Sequence, residues 1–322
     1  MMCIKDWGYK KFLQYIKPLS KKWVVCIGRV FALLGGFYSI IEIEQNVFKS
    51  EIFLNLFREN TICILTVMTI IAVILSGEKT EVSAHLGKKD YSITLKLGDL
   101  LRTKNSAIVI PTNSTFDTTM YGEFISEKSI QGKFQNKFYH NNVEDLDKLI
   151  QTSLDAKYHD NYEELNDRIN TKSRRYPIGS VAKITINKTH YYFLAMSDIS
   201  AKGKPENVTM HTITEALVGL WNYLSEDGHT EAVTLPVIGT GRGRLQDGNL
   251  ENVVQETIFS FISAAQEDFI ANGLTICIYP PTLRDANVSW EDLCNYLKLN
   301  CCFAQENNKH KDYATVSGKP TN

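Results

Sequence analysis

Between Leu235 and Leu245 the chain reads "LPVIGTGRGRL", an apolar run ending in three glycines and two arginines within six residues. Glycines at that density let another group approach peptide N–H groups closely, and arginines beside them favour an anion. The chemistry on offer is therefore anion binding, with a phosphate as the natural guest. Neither common phosphate loop is present. GxxxxGK[ST] is absent, and Gly239, Gly241 and Gly243 give GxGxG rather than GxGxxG. A glycine turn by itself also serves as a plain connection, so the surrounding elements must decide.

Catalytic chemistry is not marked. No Cys/His/Asp grouping offers a nucleophile with its base. The seven cysteines form no CxxC pair and no Cys/His ligand cluster, which argues against zinc and a disulfide framework and fits a reducing compartment. A net charge of −1 supplies no general attraction to nucleic acid.

The elements around the turn read as an α/β domain. Strand-length apolar runs lie at 91–97, 107–112, 181–186, 191–196, 232–238 and 274–280. Helical patterns fall between several of them, at roughly 126–139, 143–156, 207–225 and 250–271. Such alternation predicts a mixed sheet flanked by helices. The glycine turn then follows a strand and precedes a helix, where open α/β sheets bind phosphate. Ser289 caps a C-terminal helix over 286–303, and the polar tail at 304–322 is expected to be disordered.

The N-terminal quarter has a different character. Residues 23–41 are apolar but for Arg29, and 61–77 carry no charge. Each is close to the roughly 17 to 20 residues that cross a ~30 Å hydrocarbon core. They predict a transmembrane hairpin over 23–77, its spans joined by a loop at 42–60 that carries Lys49, Arg58 and four glutamates, and followed by a linker at 78–90; the other reading is a pair of buried helices. Six lysines precede the first run, within a basic amphipathic segment at 1–22 where Tyr9, Phe12 and Ile16 share one helical face and Pro18 marks a stop. The basic flank stays in the cytoplasm and two crossings return the chain there. Two points stay open. Arg29 either snorkels to the interface or acts as a buried charge. The small-residue ridge Gly28, Ala32 and Gly36 packs either within the hairpin or between copies.

Three motifs in order complete the reading: the Gly98-Asp99-Leu100 turn after a strand, the strand ending in Asn113, and the late Pro236-Val237-Ile238-Gly239-Thr240-Gly241 loop. Together, over about 91–285, they resemble a macro domain, the ADP-ribose-binding fold. The resemblance implies that Asp99, followed by Leu100, accepts a hydrogen bond from the adenine amine. It implies that Asn113 contacts the distal ribose and that Gly239, Thr240, Gly241, Arg242 and Gly243 surround the diphosphate. Asp99 alternatively caps a turn, Asn113 is alternatively a turn residue, and Arg244 alternatively faces only water. Two departures stand out. "STFDTTMYGEFISEKSIQGKF" replaces the family's glycine-rich stretch after the asparagine, leaving only Gly122 and Gly132, and Gly243 replaces an aromatic residue. Both predict an unusual distal half of the pocket and a binder in place of an enzyme, with no metal or other cofactor. Arg174 and Arg175 sit in a further insert and face either the ligand or only water, with water the favoured neighbour.

Two apolar runs followed by such a domain resemble the membrane-anchored effectors of type II Thoeris antiphage systems. The resemblance implies a multi-pass protein of the cell inner membrane with both termini cytoplasmic. Its signal would be a nucleotide-derived messenger, an ADP-ribose conjugate of histidine made by a TIR-domain NAD-consuming partner. Its action would be self-association and disruption of the lipid bilayer, with cell death. The alternative is a membrane-tethered ADP-ribosyl hydrolase or ADP-ribose reader.

Overall fold

The computed structural model describes residues 3–75, 80–86, 91–120, 124–140, 142–166, 172–200, 204–228, 231–241 and 245–316, with side chains described between 23 and 304. The chain divides into two units at the boundary between Lys79 and Thr80.

The first unit is a helical hairpin. Helix α1 (Cys3–Ile43) runs on as a π-helical turn, Glu44–Phe48, and α2 (Ile52–Leu75) follows after a bend at Lys49, whose φ is 53°. The expected stop at Pro18 does not occur. A proline forfeits one intrahelical bond, and the helix formers beside it, Lys17 and Leu19, carry the backbone across. The loop expected over 42–60 contracts to a short turn. Its charges mislead because Glu44 is buried and occupied: its carboxylate accepts from Ser50 Oγ at 3.0 Å and from the N–H groups of Ile52 and Phe53 at 2.8 Å. Those bonds start α2 nine residues earlier than the apolar run suggests. The irregularity near the expected start survives as a departure at Asn60 (φ −123°, ψ 26°).

Trp23–Phe48 and Ile52–Leu75 are both long and apolar enough to cross a membrane. At helical rise the second is about 36 Å long, against a ~30 Å hydrocarbon core. The guanidinium of Arg29 donates to the carbonyl of Leu75, at the end of α2. The seam between α1 and α2 buries Cys26, Ile41 and Ala72, with the rings of Phe37 and Phe57 at 5.7 Å. Gly28, Ala32 and Gly36 are exposed, and a Cβ on either glycine meets nothing within 4 Å. The ridge therefore faces away from α2.

The second unit is built on one sheet. Its strands are β1 (Glu81–His85), β2 (Ser92–Leu97), β3 (Ala107–Asn113), β6 (Val181–Ile186), β7 (Thr189–Ile199), β8 (Pro205–Glu206), β9 (Val233–Pro236) and β10 (Gly273–Ile278). The pair β4 (Glu163–Glu164) and β5 (Arg174–Arg175) stands apart. Spatial order is β1-β2-β10-β9-β3-β7-β6, with β8 on β7. The five strands from β2 to β7 are mutually parallel, and antiparallel β1 and β6 close the two edges. β1 lies where a linker was expected, because Val82 and Ala84 alternate inward over five residues, too short a pattern to stand out.

Side-chain alternation splits the core into two layers. Val109, Leu194, Leu235 and Ile276 pack with α5 (Met210–Asp227), α6 (Leu250–Glu267) and α8 (Trp290–Val316). Ile108, Ile110, Phe193 and Ala182 pack with α3 (Ile130–Phe138) and α4 (Val143–Tyr158). Ser129 starts α3 four residues inside the expected helix by accepting from the N–H of Gly132. A short α7 (Pro280–Asp285), absent from the sequence reading, follows β10. The last helix does not stop at 303 but continues to Val316. Once the buried turns at Leu297 and Cys301 nucleate it, propagation through the polar residues costs little. The end of the tail, 317–322, lies outside the described residues.

Candidate ligand cavity at the strand ends

A cavity of about 360 Å³ opens at the carboxyl ends of the parallel strands. Its wall follows strand order. Gly98 and Asp99 leave β2, Tyr279 leaves β10, Val237 to Gly241 leave β9, Asn113 ends β3, and Ser197 and Ile199 close β7. Neighbouring strands lie about 4.8 Å apart, so β2 and β9 are about 10 Å apart, β3 one step further, and β7 about 19 Å from β2. Asp99, Leu100, Asn113, Gly239, Thr240 and Gly241 all line this one cavity. Arg242 and Gly243, like Arg244, lie outside the described residues.

The glycine turn is held open by its own backbone. Gly239 has φ +75°, a left-handed conformation that an L side chain adopts only with strain. A Cβ there would also approach Ile213 Cδ1 to 2.5 Å. Thr240 Oγ1 donates to the carbonyl of Val237 at 3.0 Å, and Leu245 N–H donates to the carbonyl of Gly239 at 3.2 Å. At Gly241, which lines the cavity, a Cβ would meet nothing within 4 Å. No described side chain plugs the turn.

Asp99 has a local task as well. It caps the 3-10 turn Leu100–Arg102, Oδ1 accepting from Leu101 N–H at 3.1 Å, while Oδ2 lies 3.5 Å from Arg102 Nε. The group is half-exposed and Arg102 is 81% exposed, so water screens this pair. Leu100 is buried against the α3–α4 layer.

Asn113 is buried, and its Oδ1 accepts three bonds, from Thr115 N–H, Thr115 Oγ1 and Asp117 N–H at 2.9–3.2 Å. Only the amide nitrogen remains to donate outward. The stretch that replaces a glycine-rich loop is thus a packed polar one. Gln131 and Gln135 of α3 donate to the carbonyls of Asp117 and Thr118 at 2.7 and 2.8 Å, and Lys172 Nζ donates to the carbonyl of Phe116 at 2.8 Å. Phe116, fully buried, takes φ +51° to let the loop turn inward. Gly122 lies outside the described residues, and Gly132 serves packing, since a Cβ there would meet Ser126 O at 2.2 Å. Arg174 and Arg175 line no part of the cavity: Arg174 pairs with Asp155 at 3.2 Å and stacks on Tyr162, and Arg175 pairs with Glu163.

Sequence reasoning did not find Tyr279, Phe124, Lys128 or Lys133, which also line the cavity. Lys133 Nζ sits 5.1 Å from the centre of the Tyr279 ring. The signal for Tyr279 was its place directly after a parallel strand. The lysines carried none, because they follow the unconventional loop.

Cys277 lies in the cavity floor. Burial, and then the Asp99 carboxylate, push its thiol up to about 11. We expect folded protein at pH 7.5 to take up iodoacetamide at Cys302, which is exposed, and not at Cys277, as peptide mass spectrometry would show. Because the native state keeps a proton that the unfolded chain releases near the ordinary value of 9.0, this thiol's contribution to stability is complete below that pH and is lost as pH rises toward 11. Equal labelling of the two thiols would contradict the burial.

The family model for "Thoeris protein ThsA, Macro domain" matches residues 93–279. Thoeris protein ThsA of Bacillus amyloliquefaciens (strain Y2) is 22% identical over 160 residues, covering 49% of this chain and 52% of that protein. The match thus spans about half the length of that relative. Among solved structures, the Oceanobacillus iheyensis macrodomain with MES bound is similar at a TM-score of 0.46 and 11% identity, over 67% of this chain and 97% of that one. The same macrodomain with ADP gives 0.44 and 13%, over 70% and 98%.

Proposed function

The chain belongs to the Thoeris ThsA macro-domain family, and on that premise we propose that its cavity binds an ADP-ribose-derived signal and that binding drives the apolar hairpins to assemble in a membrane. One observation carries the ligand reading: the wall residues run in the order of an extended nucleotide. An acceptor at Asp99 meets the base at one end, the open amides of Gly239 to Gly241 meet a diphosphate about two strand spacings away, and Asn113 meets a ribose one spacing further on. The cap leaves Asp99 lone pairs to spare, since each carboxylate oxygen accepts more than one bond.

The cavity is a binder in this reading, not an enzyme. Hydrolysis needs a base or a positioned water. Among the described lining residues the titratable groups are Asp99, Lys128, Lys133, Cys277 and Tyr279. Cys277 holds its proton, and Asp99 stands at the base end of the cavity, about two strand spacings from the glycine turn.

Calorimetry on the full chain with ADP-ribose, its histidine conjugate and NAD tests this. The conjugate, supplied in cells by a TIR-domain NAD-consuming partner, is expected to bind most tightly with no product released. Absence of binding by all three, or release of free ADP-ribose from the conjugate, would overturn the reading.

The lysines before Trp23 keep both termini in the cytoplasm of a cell whose inner membrane the hairpin spans. For the signal to drive assembly it must bind the assembled state better; a tenfold preference contributes ~1.4 kcal/mol per protomer. The outward ridge is the surface through which copies meet, because small residues allow close helix approach in lipid. Gly28→Leu with Gly36→Leu is expected to leave ligand affinity unchanged and to reduce signal-dependent dye leakage from vesicles by about tenfold. Undiminished leakage would remove the ridge from the account.

A further inference from the structure

We propose that the hairpin is clasped shut by two charged side chains, Arg29 of α1 and Glu44 of the π-helical turn that continues it, one at each end of α2, and that it works in the membrane as one closed unit. The inference rests on the membrane reading above. A helix leaves unpartnered N–H groups at its start and unpartnered carbonyls at its end, a deficit that water relieves and lipid does not. In this hairpin α1 and its π-helical continuation meet both ends. The buried carboxylate of Glu44 accepts from the N–H groups of Ile52 and Phe53 at 2.8 Å and from Ser50 Oγ at 3.0 Å. At the far end the Arg29 guanidinium donates to the carbonyl of Leu75. The signs match the helix dipole: the anion stands at the positive end of α2 and the cation at the negative end.

Between the clasps the seam is closed by Cys26, Ile41 and Ala72 and by the contact of Phe37 with Phe57. Opening it would strand a carboxylate, a guanidinium and the polar ends of α2 at once. The face bearing Gly28 and Gly36 needs no such opening, since a Cβ at either glycine meets no described atom within 4 Å. Assembly therefore engages the outer surface of an intact hairpin and does not unzip α1 from α2.

The test uses the full chain carrying Phe37→Cys and Phe57→Cys in lipid vesicles, treated with a short bifunctional thiol-reactive reagent such as a bismaleimide. Mass spectrometry then measures the intramolecular 37–57 bridge. With the histidine conjugate of ADP-ribose, or with ADP-ribose, the yield is expected to match the unliganded yield within about twofold. Adding Glu44→Ala or Arg29→Ala is expected to lower it by about tenfold, while Arg29→Lys, which keeps a charged donor, retains it. A fall of more than about fivefold on adding either probe, or no fall in both alanine variants, would overturn the clasp. Leakage from vesicles of the wild-type chain is read in parallel. Its absence would count against signal-driven membrane disruption, while the bridge yield still judges the clasp.

Discussion

Asp99→Asn is expected to keep the fold and lose the base. Asparagine caps a turn as well as aspartate does, so Leu101 N–H retains its acceptor and the melting temperature moves by no more than about 1–2 °C. Recognition changes because the amide has one oxygen. With that oxygen held by Leu101 N–H, the group left for the base is the Nδ2 donor. An adenine amine, also a donor, then faces a donor. Loss of a charge-assisted bond of this kind costs about 1.5–3 kcal/mol, or roughly 10- to 150-fold in affinity. A guanine analogue, which presents a carbonyl at the same position, is expected to gain relative to ADP-ribose. Calorimetry with ADP-ribose and GDP-ribose measures both effects. Unchanged ADP-ribose binding would leave Asp99 a cap and nothing more.

The second large effect belongs to the glycine turn, where two neighbouring glycines should separate folding from binding. Gly239→Ala places a methyl at φ +75° and 2.5 Å from Ile213 Cδ1. Backbone strain there costs about 1–3 kcal/mol, and relief of that strain turns the amides away from the cavity. We expect a lower melting temperature and at least about 100-fold weaker ADP-ribose binding. Gly241→Ala meets open space, so its melting temperature should match the wild type. Its methyl nevertheless enters the volume assigned to the diphosphate, and an affinity loss of about tenfold is expected. Wild-type affinity in Gly241→Ala would show that the guest does not lie along the turn.

The parts of the fold that were legible in the sequence are those with long, repeated signals. Strands such as "AIVIPT" are buried on both faces and read as continuous apolar runs, and all six expected strands form. Short or conditional elements were not legible. β1 has five residues, α7 has six, and α2 begins early only because Glu44 reaches its first N–H groups. That capping bond joins residues eight apart across a turn, and composition made the same glutamate look like loop. The site was legible where its chemistry lies in single motifs at strand ends, as with Asp99, Asn113 and Gly239. It was illegible where the wall follows from strand order, as with Tyr279, or from a loop of unusual build, as with Lys128 and Lys133. Asn113 shows both sides, since its place in the wall was readable and the engagement of its oxygen by Thr115 and Asp117 was not.

The polar stretch from Asn113 to Thr118 has a consequence for selectivity. Apart from the Asn113 amide nitrogen, its polar groups bond to Gln131, Gln135, Lys172, Asp147, Asp198 and one another, and its one large apolar side chain, Phe116, is anchored in the core. A flexible glycine segment would mould itself to whatever arrived and lose freedom in doing so. Asn113, the residue of this stretch that lines the cavity, has its oxygen held by Thr115 and Asp117 before any guest arrives, so a guest of the right outline meets little entropic penalty there. A misfit has no induced accommodation to fall back on, and discrimination at that end works by exclusion.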